Sequence, residues 1–527
     1  MNILIFLISV VFIFLLISVM FMPFMKVSMS LLEWDFLSLK LNLYFNSLLF
    51  SLVLGIVTLS VLMFSTYYLN NELNFNYYYF VLLIFVSSMF MLNFSNSIFS
   101  MLISWDLLGI SSFFLVLFYN NWDSNSGAMN TALTNRVGGN FFLFTFFSGG
   151  LLYGYYFLSL EFLCNFVLVL LLLTSFTKSA QFPFSSWLPK AMSAPTPISS
   201  LVHSSTLVTA GLILLMNFNN IMLNNLMMNV VLIIGMFTMM FSSITALVEE
   251  DMKKVVALST LSQMGFSMVT LGLGLSFVAF VHLVSHALFK SCLFMQVGYL
   301  IHSNNGQQDG RNYSYNGSLS VLIQLQLLIT LFCLCGLMFS SGMMSKDLIL
   351  EMFFMNNYFM LFGLMFFLTS FLTFCYSYRL WKGFFLSYNK VIKFFDSSVI
   401  MNFLSLVLVI MSVIFMWWLN FNLLLMPTMF LYIDLYVPLL YIMFLLLLIY
   451  LLFKFIVKEL MYKFLVDYLV KNIIYKVKNM KFMDLSINKF GYYNFSLMNS
   501  MNYVLNYYMS VFKYNNLIFN VFNFLLL

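Results

Sequence analysis

Residues Thr174–Gly211 read TSFTKSAQFPFSSWLPKAMSAPTPISSLVHSSTLVTAG, and they place a lysine and a histidine inside a membrane-spanning hydrophobic sequence. Lys178 follows the apolar run Phe162–Leu173, so it lies part-way across the bilayer, where an ammonium costs about 2.5–3.5 kcal/mol by insertion scales. Prolines follow at positions 183, 189, 195 and 197, which predicts a helix interrupted near the lysine. Irregular backbone at membrane depth survives only against protein or a water-filled cavity, where a lysine can also be kept. His203 and the hydroxyl side chains around it favour a proton path.

The composition is that of a membrane protein. The chain has 527 residues, of which 63% are hydrophobic and 8% charged, with a mean hydropathy of +0.99. Soluble domains carry about 25% charged residues. Apolar stretches of about 18 residues or more recur along nearly the whole length, which is typical of transmembrane helices and not of alternating barrel strands. We predict an all-α polytopic membrane protein with roughly 15 to 16 transmembrane helices.

The five cysteines all lie within hydrophobic runs, where small buried packing residues are the usual interpretation. There is no Gly-rich phosphate loop and no CxxC pair, so the sequence predicts no nucleotide, flavin, iron–sulfur or other metal site in this chain. Any redox chemistry coupled to this protein must then lie elsewhere. Much of the net charge of +6 comes from one C-terminal stretch, and it gives no indication of nucleic-acid binding.

Two charged residues lie inside hydrophobic segments before residue 174. Asp106 is well inside the segment Ser97–Tyr119, and a carboxylate at that depth must pair, take up a proton or face water. A functional role and a structural hydrogen bond are both open for it. Arg136 lies just inside the next span. Because arginine keeps its charge, it suits holding a partner carboxylate or snorkelling better than relaying a proton.

His282, His286 and Lys290 are spaced four residues apart, which places them along one stripe of one helix. At a rise of about 1.5 Å per residue, successive groups stand about 6 Å apart, which suits stepwise proton transfer through water. Two histidines four apart could instead share a zinc ion. No Cys, Asp or Glu nearby completes that ligand set, however, and Lys290 would repel a cation.

A second interruption is predicted at MSKDLIL, where Lys346 and Asp347 follow Ser, Gly and Met residues. FTKSAQF, earlier in the chain, also places a lysine at a small-residue break, which is consistent with two related half-units of the kind that transporters carry.

Several other segments have simpler interpretations. A polar loop holding Glu33, Asp35 and Lys40 is predicted between the first spans, and the mixed-charge run Glu249–Lys254 is predicted to face solvent. Lysines from Lys454 to Lys489 are interspersed with apolar residues, which predicts a segment lying along the membrane surface.

Six stretches between about residues 104 and 351 resemble the antiporter-like subunits of respiratory NADH:ubiquinone oxidoreductase (complex I). These are SWDLLGISSFFL, TALTNRVGG, the stretch 174–211 quoted above, EEDMKKVVALSTLSQMGF, HLVSHALFKSCLFMQVGYLIH and SGMMSKDLILE. They occur in the family's order, so the resemblance is specific. It implies two inverted five-helix repeats containing broken helices, a half-channel in each repeat, a hydrated central axis of charged residues and a long lateral amphipathic helix.

The resemblance also implies roles for individual residues. Asp106 stands where the family has a Glu that pairs with the lysine at Lys178, and His203 stands at the family's bridging histidine. Gly139 falls where the family commonly has an Asp. Arg136 is expected to support the relay. The predicted relay residues are Asp106, Lys178, His203, His282, His286, Lys290, Lys346 and Asp347.

By the same resemblance the chain divides into N-terminal transmembrane helices (1–95), an antiporter-like core (96–355), C-terminal transmembrane helices (356–453), a lateral interfacial helix (454–501) and a terminal anchor (502–527). It implies the mitochondrial inner membrane, with NADH, FMN, iron–sulfur clusters and ubiquinone bound by other subunits. The expected partners are lipid and other membrane-arm subunits, especially a neighbouring antiporter-like subunit. Two alternatives are an independent cation/proton antiporter and a structural membrane scaffold whose buried charges only pair.

Overall fold

The structure is a computed structural model. It divides into two compact units, Met1–Ile456 and Val457–Leu527. In the second unit the described residues 496 and 499–503 are helical. Some predictions lie outside the described residues, namely those for the first span, Asp347, Cys164 and the Lys454–Lys489 segment. The described residues are 27–34, 37–70, 72–145, 165–218, 225–304, 306–313, 321–336, 340–343, 345, 346, 349, 360–385, 399–415, 496 and 499–503.

The first described element is a two-stranded antiparallel hairpin. Strand β1 spans Val27–Trp34 and strand β2 spans Leu37–Leu43, with Val27 opposite Leu43 and Trp34 opposite Leu37. The sequence interpretation of an irregular polar loop here was wrong. LSLKLNL alternates leucine with polar residues, and this period of two is the pattern of a strand.

The described part of the chain is otherwise helical. Seven of its helices are long and apolar enough to cross a membrane, which confirms the all-α polytopic class. The α-helices are α1 Phe45–Tyr68, α2 Phe75–Phe94, α3 Ile98–Val116, α4 Trp122–Thr145, α5 Asn165–Lys178, α6 Trp187–Lys190, α7 Thr196–Leu201, α8 Leu207–Asn217, α9 Asn225–Val248, α10 Met252–Gly272, α11 Ser276–Ser303, α12 Val321–Cys335, α13 Met360–Phe385 and α14 Val399–Ile410.

Hydroxyl side chains are numerous within these apolar helices, and most are satisfied by their own helix. Ser104 donates to the carbonyl of Met101 at 2.8 Å, Thr174 to that of Leu171 at 2.7 Å, and many others follow the same pattern. A hydroxyl that bonds one turn back costs little at membrane depth, since no water is needed to satisfy it. These apolar helices can therefore carry many hydroxyl groups whose hydrogen bonds are satisfied within the helix.

Helices α10 and α11 form the centre of the described unit, and nearly all of their residues are buried. Helix α10 packs closely on α9 because small residues lie at the contact. A Cβ at Gly272 would stand 2.7 Å from the backbone nitrogen of Leu232, and one at Gly265 would stand 2.9 Å from the Cβ of Met239. Glycines let two transmembrane backbones approach at these points.

The predicted interruption after Lys178 is confirmed. Helix α5 ends there, and the chain continues through a 3₁₀ turn, the short helix α6, a second 3₁₀ turn at Ala191–Ser193 and the extended residue Ala194. Helix α7 then runs into a π-helical turn, Val202–Thr206, before α8 begins. Pro195 is the N-cap of α7, a position where its missing N–H is not needed.

Candidate functional site

Lys178 is completely buried at the C-terminal end of α5. Its ammonium donates to the backbone carbonyl of Trp105 at 2.8 Å and lies 3.8 Å from the centre of that indole ring. Helix α4 packs on both α3 and α5, and Gly138 on α4 leaves room for the Thr177 side chain next to Lys178. A carbonyl and an aromatic face together stabilise the ammonium without a direct carboxylate contact.

Asp106 points to a different partner. Its carboxylate lies 3.5 Å from Arg136 on α4, with side-chain exposures of 35% and 64%. The direct Asp106–Lys178 ion pair expected from the resemblance is not formed in this part of the described chain, although the two groups interact through space. Adjacent residues on a helix point about 100° apart, so Trp105 faces Lys178 while Asp106 faces Arg136. Arg136 thus holds a carboxylate, as one of its two interpretations predicted.

Gly139 lies beside this ion pair. A Cβ built at Gly139 would stand 3.3 Å from Oδ1 of Asp106. An Asp at this position, as the family commonly has, would therefore place a second carboxylate against the first. The glycine removes that repulsion and leaves Asp106 as the carboxylate nearest Arg136 among the described residues.

His203 is fully buried in the π-helical turn. Neither ring nitrogen has a hydrogen-bond partner among the described residues, and the ring lies 6.0 Å from that of Trp187. The hydroxyls of Ser205 and Thr206 donate back to the carbonyl of Leu201. A π turn is often found at functional sites, and here it carries a buried imidazole whose two nitrogens have no hydrogen-bond partner among the described residues.

His282, His286 and Lys290 lie fully buried along one stripe of α11, as predicted. The two imidazole centres are 6.4 Å apart. At one end of the stripe Lys290 donates to the hydroxyl of Ser259 on α10, and at the other His282 Nδ1 lies 2.9 Å from Ser345 Oγ. Neither nitrogen of His286 has a partner among the described residues.

Lys346 lies at the far end of this arrangement and is 7% exposed. Its ammonium donates to the carbonyls of Leu334 at 2.6 Å and Cys335 at 3.4 Å, at the C-terminal end of α12. Gly336 ends that helix with a φ of 79°, the left-handed conformation that glycine adopts at helix ends. The last carbonyls of a helix carry partial negative charge, so this is a favourable place for a cation.

The predicted relay residues therefore form two groups in the described structure. One contains Lys178 and Asp106, and the other runs along α11 from Lys290 through His286 and His282 to Lys346. Ser345 connects His282 to the helical turn that carries Lys346, and the Phe266 ring lies against both His282 and the Lys346 ammonium. The π turn with His203 packs on α10 and α11. Their roles in proton transfer stay predictions.

Sequence reasoning missed one buried cation. Lys253 was assigned to a solvent-facing loop, but it lies in the first turn of α10 and is 2% exposed. Its ammonium donates to the carbonyl of Ala194. The signal that could have found it is its position, since a lysine in the first turn of a helix opposes the macrodipole. The charged loop proper, residues 249–251, ends just before α10 begins.

This loop pairs with the segment after α11 outside the membrane spans. Gly310 N donates to the carbonyl of Glu250 at 2.9 Å, and Arg311 pairs with Glu250 at 2.6 Å and with Asp309 at 2.7 Å. Hydrogen bonds from Arg311 lower the pKa of Asp309, whereas burial raises the pKa of Glu249. The two loops are thereby held together at the membrane surface.

Comparison with known proteins places these features in a family. The family model described as NADH:quinone oxidoreductase/Mrp antiporter, TM, matches residues 95–373. The NADH-ubiquinone oxidoreductase chain 5 of Caenorhabditis elegans is 67% identical over 527 residues and covers 100% of both chains. That of Ascaris suum is 63% identical over 481 residues, covering 91% of this chain and 88% of the relative.

Solved structures support the fold. A chain in the structure of the Mrp complex from Dietzia sp. DQ12-45-1b superposes with a TM-score of 0.76 at 22% identity, covering 90% of this chain and 56% of that chain. The membrane-bound sulfane sulfur reductase, an archaeal respiratory membrane complex, gives a TM-score of 0.70 at 21% identity, covering 78% of this chain and 71% of its counterpart. The chain therefore belongs to the NADH:quinone oxidoreductase/Mrp antiporter family of membrane proteins, within which it is most similar to chain 5 subunits among the relatives compared.

Proposed function

We propose that this chain is a proton-translocating membrane-arm subunit of respiratory complex I, which moves protons through its buried lysine, histidine and aspartate side chains. It is a multi-pass protein of the mitochondrial inner membrane. Electron transfer from NADH to ubiquinone takes place in other subunits, and those subunits hold the FMN and iron–sulfur clusters. This chain contributes proton movement to the coupled reaction.

The observation that carries this proposal is how the buried lysines are held. Lys178 and Lys290 each donate to a neutral oxygen, the backbone carbonyl of Trp105 for Lys178 and the hydroxyl of Ser259 for Lys290. An ammonium paired directly with a carboxylate keeps its proton, because losing it would strand a buried anion. An ammonium held by neutral oxygens can release its proton and leave a neutral amine behind.

The imidazoles supply the steps between lysines. His282 and His286 stand close along α11, and His286 has both ring nitrogens open among the described residues. A neutral imidazole accepts a proton at one nitrogen and donates from the other. Protons can then pass along the stripe between Lys290 and the Ser345–Lys346 turn through ordered water.

Asp106 is placed to control Lys178. When its carboxylate turns from Arg136 toward Lys178, it stabilises the ammonium form of that lysine. When it turns back to Arg136, Lys178 is left with the Trp105 carbonyl and indole ring and releases its proton more easily. A signal from the redox subunits would drive this movement, and the coupled sites would titrate together.

The outer face of α3 and α4 is the proposed contact with a neighbouring antiporter-like subunit. Ile110 on α3 and Leu133 on α4 are exposed on this face, and between them Arg136 is 64% exposed beside Asp106. Hydrocarbon cannot satisfy a guanidinium at membrane depth. Because an apolar face with an unshielded ion pair suits protein better than lipid, a partner helix with a polar group at this level would cover it.

The domain division proposed from the sequence assigns the relay to residues 96–355. Within that range fall the two breaks, one at Lys178 and one before Lys346. The regions 356–453, 454–501 and 502–527 are proposed to brace and anchor the subunit.

The test is a single substitution at the far end of the relay. We expect Lys346→Ala, in the assembled complex in sealed vesicles, to lower the rate of NADH-driven proton translocation by at least about tenfold, since positioned acid–base groups contribute about 10²–10⁴ to rates. The matched control is Lys190→Ala, which changes an exposed lysine at the other break. Normal proton translocation by the Lys346→Ala complex would contradict the proposed role.

A further inference from the structure

Two adjacent lysines begin α10, and they have opposite surroundings. Lys254 is partly exposed and pairs with Glu249 and Asp251 in the charged loop. Lys253 is 2% exposed and points into the protein. Successive residues on a helix point about 100° apart. The Lys254 ammonium therefore points toward solvent, and the Lys253 ammonium points toward the irregular segment between α6 and α7.

The Lys253 ammonium donates to the carbonyl of Ala194, which is 59 residues away in sequence and itself buried. Ala194 is the extended residue between the 3₁₀ turn Ala191–Ser193 and the N-cap of α7, Pro195. The backbone here belongs to no continuous helix. A charge-assisted hydrogen bond from a neighbouring helix therefore has a large influence on where α7 begins.

The position of α7 in turn sets the position of His203. Helix α7 passes without a break into the π turn Val202–Thr206, so the two move as one short rod. Neither imidazole nitrogen of His203 is tethered by the described residues. With no hydrogen bond to hold the ring, its depth depends on the position of the backbone that carries it, and Lys253 interacts with the ring through space as well.

We propose that Lys253 is a positioning residue for His203: by holding the Ala194 carbonyl it fixes the start of α7, and thereby the place of the imidazole in the relay. This inference rests on the proposed function. Lys253 need not gain or lose a proton in this role. A donor that stays charged would serve as well.

The test compares Lys253→Met with Lys253→Arg in the assembled complex, using protons moved per NADH oxidised in sealed vesicles. Lys253→Met removes the donor, and we expect a fall of roughly ten- to a hundredfold, since a misplacement of about 1 Å can cost about 10²-fold. Lys253→Arg keeps a permanently charged donor, and we expect it to stay within about twofold of wild type. The control Lys254→Met should leave the ratio unchanged.

A double substitution tests whether the effect passes through His203. In a His203→Gln background, Lys253→Met should cause no further fall, because two residues acting through one site are not additive. Effects that multiply would overturn the proposal. It would also be overturned by normal translocation in Lys253→Met, or by a Lys253→Arg complex that assembles but fails like Lys253→Met, since the lysine would then have to release a proton.

Further variants separate a failure of assembly from a failure of proton translocation. If Lys253→Met does not assemble, Lys253→Gln retains a neutral amide donor, and we expect it to pump better than an equally assembled Lys253→Ala. Lys178→Met in the same vesicles serves as the reference. Normal translocation in Lys178→Met would contradict the proposed function itself, whereas loss there with full activity in Lys253→Met would remove the positioning role alone.

Discussion

The two breaks that carry a buried lysine hold their ammonium groups in different ways. At the first, Lys178 donates to the carbonyl of Trp105, in the middle of α3, and lies against its indole ring. At the second, Lys346 donates to the last carbonyls of α12, Leu334 and Cys335. A mid-helix carbonyl is already engaged in its own helix, while the final carbonyls are free of helical partners and carry the negative end of the dipole.

This difference assigns different tasks to the two lysines. At the second site the ammonium is stabilised by backbone carbonyls at the C-terminal end of α12. At the first site the Trp105 carbonyl and ring hold the ammonium, while the neighbouring carboxylate of Asp106 is paired with Arg136. In the proposed mechanism, Lys178 is the lysine that a moving carboxylate would switch, and Lys346 is the one that would hold a proton between transfers.

The strongest test removes both sites and the lysine between them. A complex with Lys178, Lys290 and Lys346 all changed to Met should lose proton translocation completely while retaining NADH oxidation that has become uncoupled or slow. The measurement is vesicle acidification against electron transfer. If the triple variant assembles and still pumps at the wild-type ratio, the buried lysines serve only as structural charges and the comparison between the breaks has no functional meaning.

The next test addresses the switch at the first break. Asp106→Asn should lower coupled turnover by about fivefold, near the lower end of coupling energies between linked sites. Asp106→Glu, which carries the residue the family has here, should remain near wild type. Arg136→Gln, which frees the carboxylate for Lys178, should slow turnover while leaving assembly intact. Equal turnover in Asp106→Asn and wild type would show that Lys178 needs no carboxylate and that the breaks work alike.

A smaller effect is expected from the fixed end of the second break. Gly336 has a φ of 79°, and a Cβ there would stand 3.0 Å from Cδ of Lys346. Gly336→Ala should destabilise the protein by about 1–2 kcal/mol, the usual cost of a left-handed residue with a side chain. The control is Gly363→Ala in α13, where an added Cβ meets nothing within 4 Å, and a gain of up to about 1 kcal/mol is expected. Thermal inactivation of the complex measures both, and equal loss in the two variants would contradict the assigned role of Gly336.

The smallest effects are expected for the ion pairs outside the membrane, in the loops before α10 and after α11. Arg311 lowers the pKa of Asp309, so this pair stabilises the loop above the ordinary carboxyl pKa, and the contribution is lost as the pH falls through the lowered value. Asp309→Asn should slightly weaken hydrogen-exchange protection of residues 306–313 at about pH 7, and the difference from wild type should shrink as the pH falls below the ordinary carboxyl pKa. A pH-independent difference would show that the pair is not the cause.

Glu249, in the facing loop before α10, has the opposite dependence of stability on pH. Burial raises its pKa, so the folded state binds a proton there more tightly than the unfolded chain does. Protonation of this group therefore adds stability as the pH falls toward the raised value. Glu249→Gln should remove that gain, which hydrogen exchange of the loop measured at several pH values would detect.

Sequence alone determined the elements whose causes are local. Prolines and small residues fixed the break after Lys178, and spacing by four placed His282, His286 and Lys290 on one stripe, because both effects act within a few residues of chain. Hydrophobic runs fixed the polytopic class. The hairpin at residues 27–43 was local too, and its alternation was overlooked.

Only the tertiary structure decided which groups meet across the chain. Lys178 meets Trp105 and leaves Asp106 to Arg136, and Lys253 leaves the charged loop to hold Ala194. These pairings join helices far apart in sequence and depend on the rotation of each helix about its axis, where one residue changes the direction by about 100°. A residue's identity fixes what it can bind, but packing chooses the partner.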